Sequence, residues 1–164
     1  KVDDFRLPSV TTGQLVSLHG DKCQKATVLF VMSAECPCSA KYNSRFNDLA
    51  SEFSSKGVRF VGINSSYHEN LKQIADYVTR EKFLFPVVKD TDNIVADKID
   101  AKVTPEAFVF DSKGTMRYHG RIDDSRQIAM VRKHSLHDAL TAVLDGSAPL
   151  KSEEALFGCA IDRK

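Results

Sequence analysis

Residues 28–42, VLFVMSAECPCSAKY, decide how this chain folds. The stretch opens with a continuous apolar run that is rich in β-branched residues, which is typical of a strand buried on both faces. Two cysteines follow, Cys36 and Cys38, and the proline between them suits the first position of a helix. The stretch therefore predicts a buried strand followed by a helix that begins beside Cys36.

Strand and helix patterns alternate outward from this stretch. Apolar runs predict strands at 27–32, 58–64, 85–90, 106–111 and 115–121, and helical spacing predicts helices at 37–55, 69–83, 92–99 and 131–145. In the helix at 69–83 this spacing places Leu71, Ile74, Ala75 and Val78 on one, buried face. Strands joined through helices indicate parallel pairing with right-handed crossovers, and the turn SKG predicts a closing hairpin. The fold class is therefore α/β, with a central mixed β-sheet flanked by helices on both faces. The first 20 residues predict an additional hairpin.

The size and charge of the chain limit the kinds of partner it can have. Its 164 residues suit a single domain over 1–164, with a tail from residue 146 onward that carries Cys159 and wraps the surface. The net charge of +1 gives no electrostatic basis for binding nucleic acid. No apolar run approaches the ~20 residues that span a bilayer. The chain starts at Lys1 rather than Met, so we expect a processed chain or an excised domain.

The four cysteines are too few for a disulfide scaffold in a chain of this length, so chemistry is the better reason to consider them. Cys36 is predicted at a helix N-terminus, where unpaired amides and the helix dipole favour the thiolate and lower the pKa of the thiol. Glu35 opposes this effect by like-charge repulsion. Cys36 is therefore the predicted reactive thiol.

The spacing Cys-x-Cys differs from that of a dithiol on one helix face. Positions i and i+3 share a face, so the residue expected beside Cys36 is Ser39, and Cys38 is expected to point toward the helix flank. A Cys36–Cys38 disulfide would require the first helical turn to unwind, and strained bonds of this kind are oxidising and labile. The sequence leaves the use of Cys38 open.

A second signal is Thr104-Pro105, directly before the strand EAFVFD. That strand is expected beside the strand leading to Cys36, and proline at the start of a central strand is unusual unless its missing N–H is useful. We therefore predict a cis bond at Pro105 that faces Cys36. The backbone of Val103 and Thr104 would then be free to pair with an extended substrate.

Together these residues resemble the thioredoxin-like superfamily, and within it the peroxiredoxin-like (AhpC/TSA-type) redoxins of bacteria. The resemblance extends over nearly the whole chain, through FVMSAECPCSAKY, VGINSS, TPEAFVFDSKG, YHGRIDDSR and the terminal FGCAI. It implies a thioredoxin-like fold and a redox-active Cys36. The terminal Gly-Cys of the family corresponds to Gly158-Cys159, and Cys159 is read either as a thiol that resolves Cys36 or as a packing cysteine.

The resemblance to true peroxiredoxins is incomplete at the peroxide site. Those enzymes carry Pro-x-x-x-Thr/Ser-x-x-Cys and an arginine on a later strand. Ser33 matches the Thr/Ser position, but Leu29 stands where the proline should be and Pro105 lies where the arginine would align. The comparison therefore favours disulfide exchange over peroxide reduction.

The resulting prediction is a thiol–disulfide oxidoreductase in which the Cys36 thiolate attacks a partner disulfide and Pro105 lines the groove for the partner. One alternative is a thiol peroxidase that uses Cys36 through a sulfenic acid. Another is a Cu(I)-binding module through Cys36 and Cys38, for which the spacing shows no third ligand. The resolving cysteine is left open between Cys38, Cys159 and Cys23.

The expected partners are protein or small-molecule thiols and disulfides, with no nucleic acid, membrane span, cofactor or metal, and the oligomeric state is left open. The missing start and the redox chemistry favour an exported, periplasmic location over a cytoplasmic one. Asp123 and Asp124 in GRIDD could be paired acid–base carboxylates. We favour a structural role, in which this pair and Arg121 anchor the loop after the hairpin.

Overall fold

A computed structural model describes residues 2–20, 23–149 and 151–164. The strands are β1 (Arg6–Pro8), β2 (Leu15–Ser17), β3 (Ala26–Met32), β4 (Val58–Asn64), β5 (Val87–Lys89), β6 (Val103–Thr104), β7 (Glu106–Asp111), β8 (Met116–Gly120) and β9 (Cys159–Ala160). The α-helices are α1 (Pro37–Ala40), α2 (Asn43–Ser54), α3 (Leu71–Glu81), α4 (Ile94–Ile99) and α5 (Ser135–Leu144). Short 3-10 turns lie at Thr91–Asn93 and Ile128–Met130.

The central sheet is mixed and has the strand order β5-β4-β3-β7-β8. Its middle strand, β3, is buried along its whole length and pairs parallel with β4 and antiparallel with β7. Val31 lies opposite Glu106 in the β3–β7 register, so the end of β3 that leads to Cys36 lies beside the start of β7. The α/β prediction is confirmed, and the predicted N-terminal hairpin forms as β1–β2.

Apolar layers cover both faces of this sheet, as the continuous apolar strands require. One layer contains buried residues of α2, α3 and α5, among them Phe46, Phe53, Ile74, Leu136 and Leu140. The other contains residues of α4 and the N-terminal hairpin, among them Leu18, Val95 and Ile99. None of the helices in the described ranges has the length and apolar character needed to cross a membrane. A single domain over 1–164 stays a prediction.

The helix predicted at 37–55 is divided in two. The Tyr42 amide donates to the Ser39 carbonyl at 2.9 Å, in the tighter i to i+3 pattern that ends a helical turn. The Tyr42 hydroxyl donates to Asp123 at 3.1 Å and to the Ser125 carbonyl at 3.0 Å. These contacts fix Tyr42 against the loop after β8, so α2 starts anew at Asn43.

The third helix buries a different set of residues from the one predicted. Asn70 and Gln73 form a reciprocal capping box, so α3 begins at Leu71 rather than at residue 69. Leu71 in the first turn is 60% exposed, although helical spacing had placed it on the buried face with Ile74. Tyr77 is buried in its place.

The last helix begins four residues later than predicted, because the segment before it pairs with the loop after β8. The Arg132 amide donates to the Asp124 carboxylate at 2.8 Å, and the Asp124 amide donates to the Lys133 carbonyl at 3.2 Å. These bonds hold the segment before Ser135 out of a helical conformation, and α5 starts at Ser135.

The acidic pair after β8 anchors its loop, as the structural interpretation expected, but chiefly through α2. The Asp123 carboxylate forms a buried ion pair with Arg45, whose Nη1 lies 2.9 Å away. Arg121 contacts Glu154 instead, at 3.4 Å. An acid–base role for Asp123 is not supported, because its carboxylate is buried and fully engaged by Arg45, Tyr42 and backbone groups.

Candidate functional site

Cys36 lies at the junction of β3 and α1, as the sequence predicts. It is the N-cap residue of α1, Pro37 occupies the first helical position, and the Cys36 Sγ accepts a hydrogen bond from the Ser39 amide at 3.4 Å. Only 7% of the residue is exposed. The hydroxyl of Ser39, expected beside the sulfur, instead accepts from the Ser33 amide at 3.3 Å.

Opposing effects act on the pKa of Cys36. Burial disfavours the thiolate and would raise the pKa, but hydrogen bonds from Cys159 and Thr104 and from the amides of Ser39 and Cys38 outweigh it. The pKa of Cys36 is therefore lowered from its usual value. In the thiol form the Cys36 S–H can instead donate to the Thr104 carbonyl, 3.6 Å away.

The bond between Thr104 and Pro105 is cis, as predicted. It follows the short strand β6 and precedes β7, and the contact between Cys36 and Thr104 brings it to the thiol. The carboxylate of Glu106 supports this corner, because its Oε1 accepts from the amides of Lys102 at 2.7 Å and Val103 at 3.3 Å. Glu106 is 1% exposed, and burial raises the pKa of its carboxyl group.

The backbone of Val103 and Thr104 is not free, which corrects the prediction. The C-terminal tail returns to the site and forms β9, which pairs antiparallel with β6 and places Cys159 opposite Thr104. A Cβ atom on Gly158 would overlap the Thr104 carbonyl oxygen, so only glycine permits this close approach. The tail therefore occupies the edge that was assigned to an extended substrate.

Three of the four cysteines form one cluster. The Sγ atoms of Cys36, Cys38 and Cys159 all lie within 4.8 Å of one another. The expectation that Cys38 points away was wrong, because Cys36 is an N-cap with extended backbone angles and lies outside the helical turn on which the spacing argument depends. Cys38 and Cys159 are half-buried at the mouth of the cluster.

The pKa values of Cys36 and Cys159 are shifted in opposite directions. The hydrogen bond between the two sulfurs, together with burial and a contact with Cys38, raises the pKa of Cys159 to about 12. The same hydrogen bond lowers the pKa of Cys36. When the pair loses one proton, it therefore leaves Cys36, and the remaining proton stays on Cys159.

Cys23 lies outside this cluster. It is exposed and precedes β3, whereas Cys36 follows the opposite end of the same strand. The seven residues of β3 separate the two ends by about 20 Å. Of the three candidates to resolve Cys36, Cys23 is thus the only one that the fold holds away from it.

The sequence analysis missed Glu69, which holds the loop before Cys36. This carboxylate is 3% exposed and accepts from the hydroxyl of Ser33, from the Ala34 amide at 2.8 Å and from Asn64 Nδ2 at 2.9 Å. Burial opposes its ionisation, but the hydrogen bonds outweigh burial and lower the pKa of Glu69. Its only signal in the sequence is a position just before a helix cap, which does not indicate burial.

Known proteins resemble this chain in sequence and in fold. The profile of the AhpC/TSA family matches residues 1–119. A Coxiella burnetii protein described as a peroxiredoxin, bcp, is 27% identical over 131 residues, which are 80% of this chain and 84% of that protein.

Solved structures extend the likeness to the tail. An uncharacterized conserved protein from Geobacillus kaustophilus matches 100% of this chain and 90% of its own, with a TM-score of 0.90 and 30% identity. A Chlorobium tepidum structure described as a thiol:disulfide interchange protein, DsbE, covers 88% of this chain and 95% of its own, with a TM-score of 0.73. At 22% identity the latter supports the thioredoxin-like fold alone. None of these descriptions mentions copper, so the Cu(I) alternative has no support from them.

Proposed function

This chain belongs to the AhpC/TSA family and is an oxidoreductase. From this premise we propose that it exchanges thiols and disulfides, with Cys36 as its nucleophile and Cys159 as the thiol that resolves the intermediate. The observation that carries the proposal is the pairing of β9 with β6, which holds Cys159 opposite Thr104 with its Sγ within 4.8 Å of the Cys36 sulfur. Cys38 remains the rival for the resolving role, because its sulfur is within the same distance.

The first step is an exchange at Cys36. The thiolate attacks one sulfur of a partner disulfide, the partner S–S bond breaks, and the other partner sulfur leaves as a thiolate. The Ser39 amide at the start of α1 and the hydrogen bond from Cys159 stabilise the attacking thiolate. The product is a mixed disulfide between Cys36 and the partner.

The second step releases the partner. Once Cys36 is bonded to the partner it carries no negative charge, so the interaction that kept the proton on Cys159 is lost. Cys159 then loses its proton to solvent and attacks the Cys36 sulfur, which forms a Cys36–Cys159 disulfide and expels the partner as a thiolate. The partner gains two electrons, and the reverse sequence oxidises a partner dithiol.

Thiol mapping by mass spectrometry tests this assignment. After oxidation of the reduced protein with oxidised glutathione, we expect a Cys36–Cys159 disulfide in the wild type and in Cys23→Ser. In Cys159→Ser we expect glutathione to remain on Cys36. A Cys36–Cys38 disulfide as the main wild-type product would contradict the role of Cys159.

The likeness to bcp makes a thiol peroxidase the second candidate. The structure argues against a fast one, because the Ser33 hydroxyl donates to Glu69 and is therefore engaged away from a peroxide at Cys36. Leu29 and Pro105 also replace the expected proline and arginine. We expect the reaction of Cys36 with hydrogen peroxide to be about as fast as that of a free thiolate, measured by stopped flow. A rate several orders of magnitude higher would favour the thiol peroxidase over disulfide exchange as the function.

The protein or small molecule that carries the partner disulfide, and an exported location, stay predictions. Fractionation of the native host, with detection of the endogenous chain, tests the location directly.

A further inference from the structure

Cys38 has no task in the exchange between Cys36 and Cys159, yet its sulfur completes a cluster of three. We propose that Cys36, Cys38 and Cys159 together bind one zinc ion in the reduced protein. This metal site goes beyond the proposed function, which needs only two of the three sulfurs. It also differs from the copper alternative of the sequence analysis, which had two ligands from one segment and lacked a third.

The spacing of the sulfurs fits a zinc ion. Zinc–sulfur bonds are about 2.3 Å long, and tetrahedral geometry then places the sulfurs about 3.8 Å apart. The three Sγ atoms already lie within 4.8 Å of one another, so a shift of about 1 Å or less brings each pair to the distance that zinc requires. Rotation of half-buried side chains supplies a shift of this size.

The ligands come from two parts of the chain that the fold brings together. Cys36 and Cys38 lie at the start of α1, and Cys159 is delivered by the pairing of β9 with β6. Cys36 forms the buried base of the cluster, while Cys38 and Cys159 are half-buried at its mouth. The fourth position therefore faces the open side, where a water molecule can complete the tetrahedron.

The chemistry of the cluster selects a soft ion. Its ligand atoms are all sulfur, a set that suits zinc or Cu(I) and disfavours magnesium and calcium. Three thiolates and a divalent ion leave a net charge of −1, whereas a monovalent ion would leave −2 in a site that is partly closed to water. Three protein ligands and one open position are also a recurrent zinc arrangement.

Zinc binding and the proposed exchange exclude each other. A Cys36–Cys159 disulfide removes two of the three ligands, so oxidation by a partner disulfide releases the ion as the partner gains two electrons. Zinc in turn holds both sulfurs as coordinated thiolates, which shields them from oxidation. The ion would therefore act as a reversible block on the exchange site.

The test is a zinc titration of the full chain, reduced and free of oxygen, against a chromophoric chelator. We expect one zinc per chain in the wild type and in the matched control Cys23→Ser, whose sulfur lies at the other end of β3. Cys38→Ser is the decisive variant, because it keeps Cys36 and Cys159. We expect it to weaken zinc binding by more than about tenfold and yet to form the Cys36–Cys159 disulfide normally.

Two further measurements test whether Cys38→Ser keeps its fold and which atoms bind the zinc ion. Circular dichroism of Cys38→Ser should match that of the wild type, and X-ray absorption at the zinc edge should show three sulfur neighbours at about 2.3 Å. Equal zinc affinity in Cys38→Ser and the wild type would overturn the proposal, as would binding of Cu(I) without zinc. Neither result touches the disulfide proposal, which fails only if thiol mapping finds another pair.

Discussion

The two sulfurs of the proposed exchange are held by regions of opposite character. Cys36 follows the central strand β3 and starts a helix, and the loop before it is fixed by the buried carboxylate of Glu69. Cys159 lies on a two-residue strand in the C-terminal tail, where the buried Ile161 and the bond from the Tyr67 amide to the Asp162 carbonyl anchor the residues after it. A nucleophile gains from a fixed position, whereas a resolving thiol must move by several ångströms to let a partner in. We therefore expect β9, rather than the β3–α1 junction, to be the element that moves.

We expect the largest effect from Gly158→Ala, which tests whether β9 positions Cys159. The new Cβ would overlap the Thr104 carbonyl oxygen, so β9 must leave β6 and carry Cys159 away. We expect the Cys36–Cys159 disulfide to form at least about tenfold more slowly in a stopped-flow assay, as is usual when reacting groups lose their alignment. Gly13→Ala is the control, because Gly13 also has a positive φ but no atom lies within 4 Å of its added Cβ. An unchanged rate in Gly158→Ala would show that β9 does not position Cys159.

A second prediction tests whether Glu69 stabilises the loop before Cys36. Glu69→Ala leaves the Ala34 amide, Asn64 and the Ser33 hydroxyl without their acceptor, which should reduce the free energy of unfolding by about 3 kcal/mol. Urea unfolding measures the loss, and Glu81→Ala, at a surface ion pair, should cost less than about 1 kcal/mol. Equal losses of unfolding free energy in the two variants would show that Glu69 does not stabilise the loop before Cys36.

Glu69 also gives the stability of the fold a pH dependence. Because its pKa is lowered in the folded state, the stabilisation is present above the usual pKa of a glutamate and is lost as the pH falls through the lowered value. Glu69→Gln should therefore show a smaller decrease in unfolding free energy in acid than the wild type does.

The smallest expected effect is on the reactivity of Cys36. Removing the hydrogen bond from Cys159 in Cys159→Ala should raise the pKa of Cys36, since that bond stabilises the thiolate. The rate of alkylation by iodoacetamide should then reach its plateau at a higher pH than in the wild type, provided that the rate is corrected for the greater access to the sulfur. An unchanged pH profile would show that the Ser39 amide and Thr104 suffice to lower the pKa of Cys36.

The sequence predicted the β3–α1 junction well and the region around β9 badly, for a physical reason. The buried run 28–32 and Pro37 are local signals for the β3–α1 junction, and Pro105 directly before an apolar strand is the local signal for the cis bond. β9 has only two residues, too few for any periodicity, and it forms because Gly158 fits against Thr104 far away in the sequence. The closeness of Cys38 to Cys159 depends on that same pairing, and its closeness to Cys36 depends on the non-helical angles of Cys36.

The burial of Glu69 and Tyr77 could not be predicted from neighbouring residues either. A carboxylate before a helix cap is normally solvated, and only the arrival of Ser33, Ala34 and Asn64 makes it a buried acceptor. Helical spacing placed Leu71 on the buried face, but the capping box starts the helix so that its first turn faces solvent.

The pairing of β9 with β6 also sets how long a partner can stay attached. Because this pairing holds Cys159 in the same molecule and beside Cys36, its thiol acts on the mixed disulfide at an effective concentration on the order of millimolar or higher, whatever the concentration of the protein. A thiol from solution must exceed that value to resolve Cys36 first. Covalent complexes of the wild type should therefore be brief, and a resident partner should be recoverable from extracts only when Cys159 is replaced.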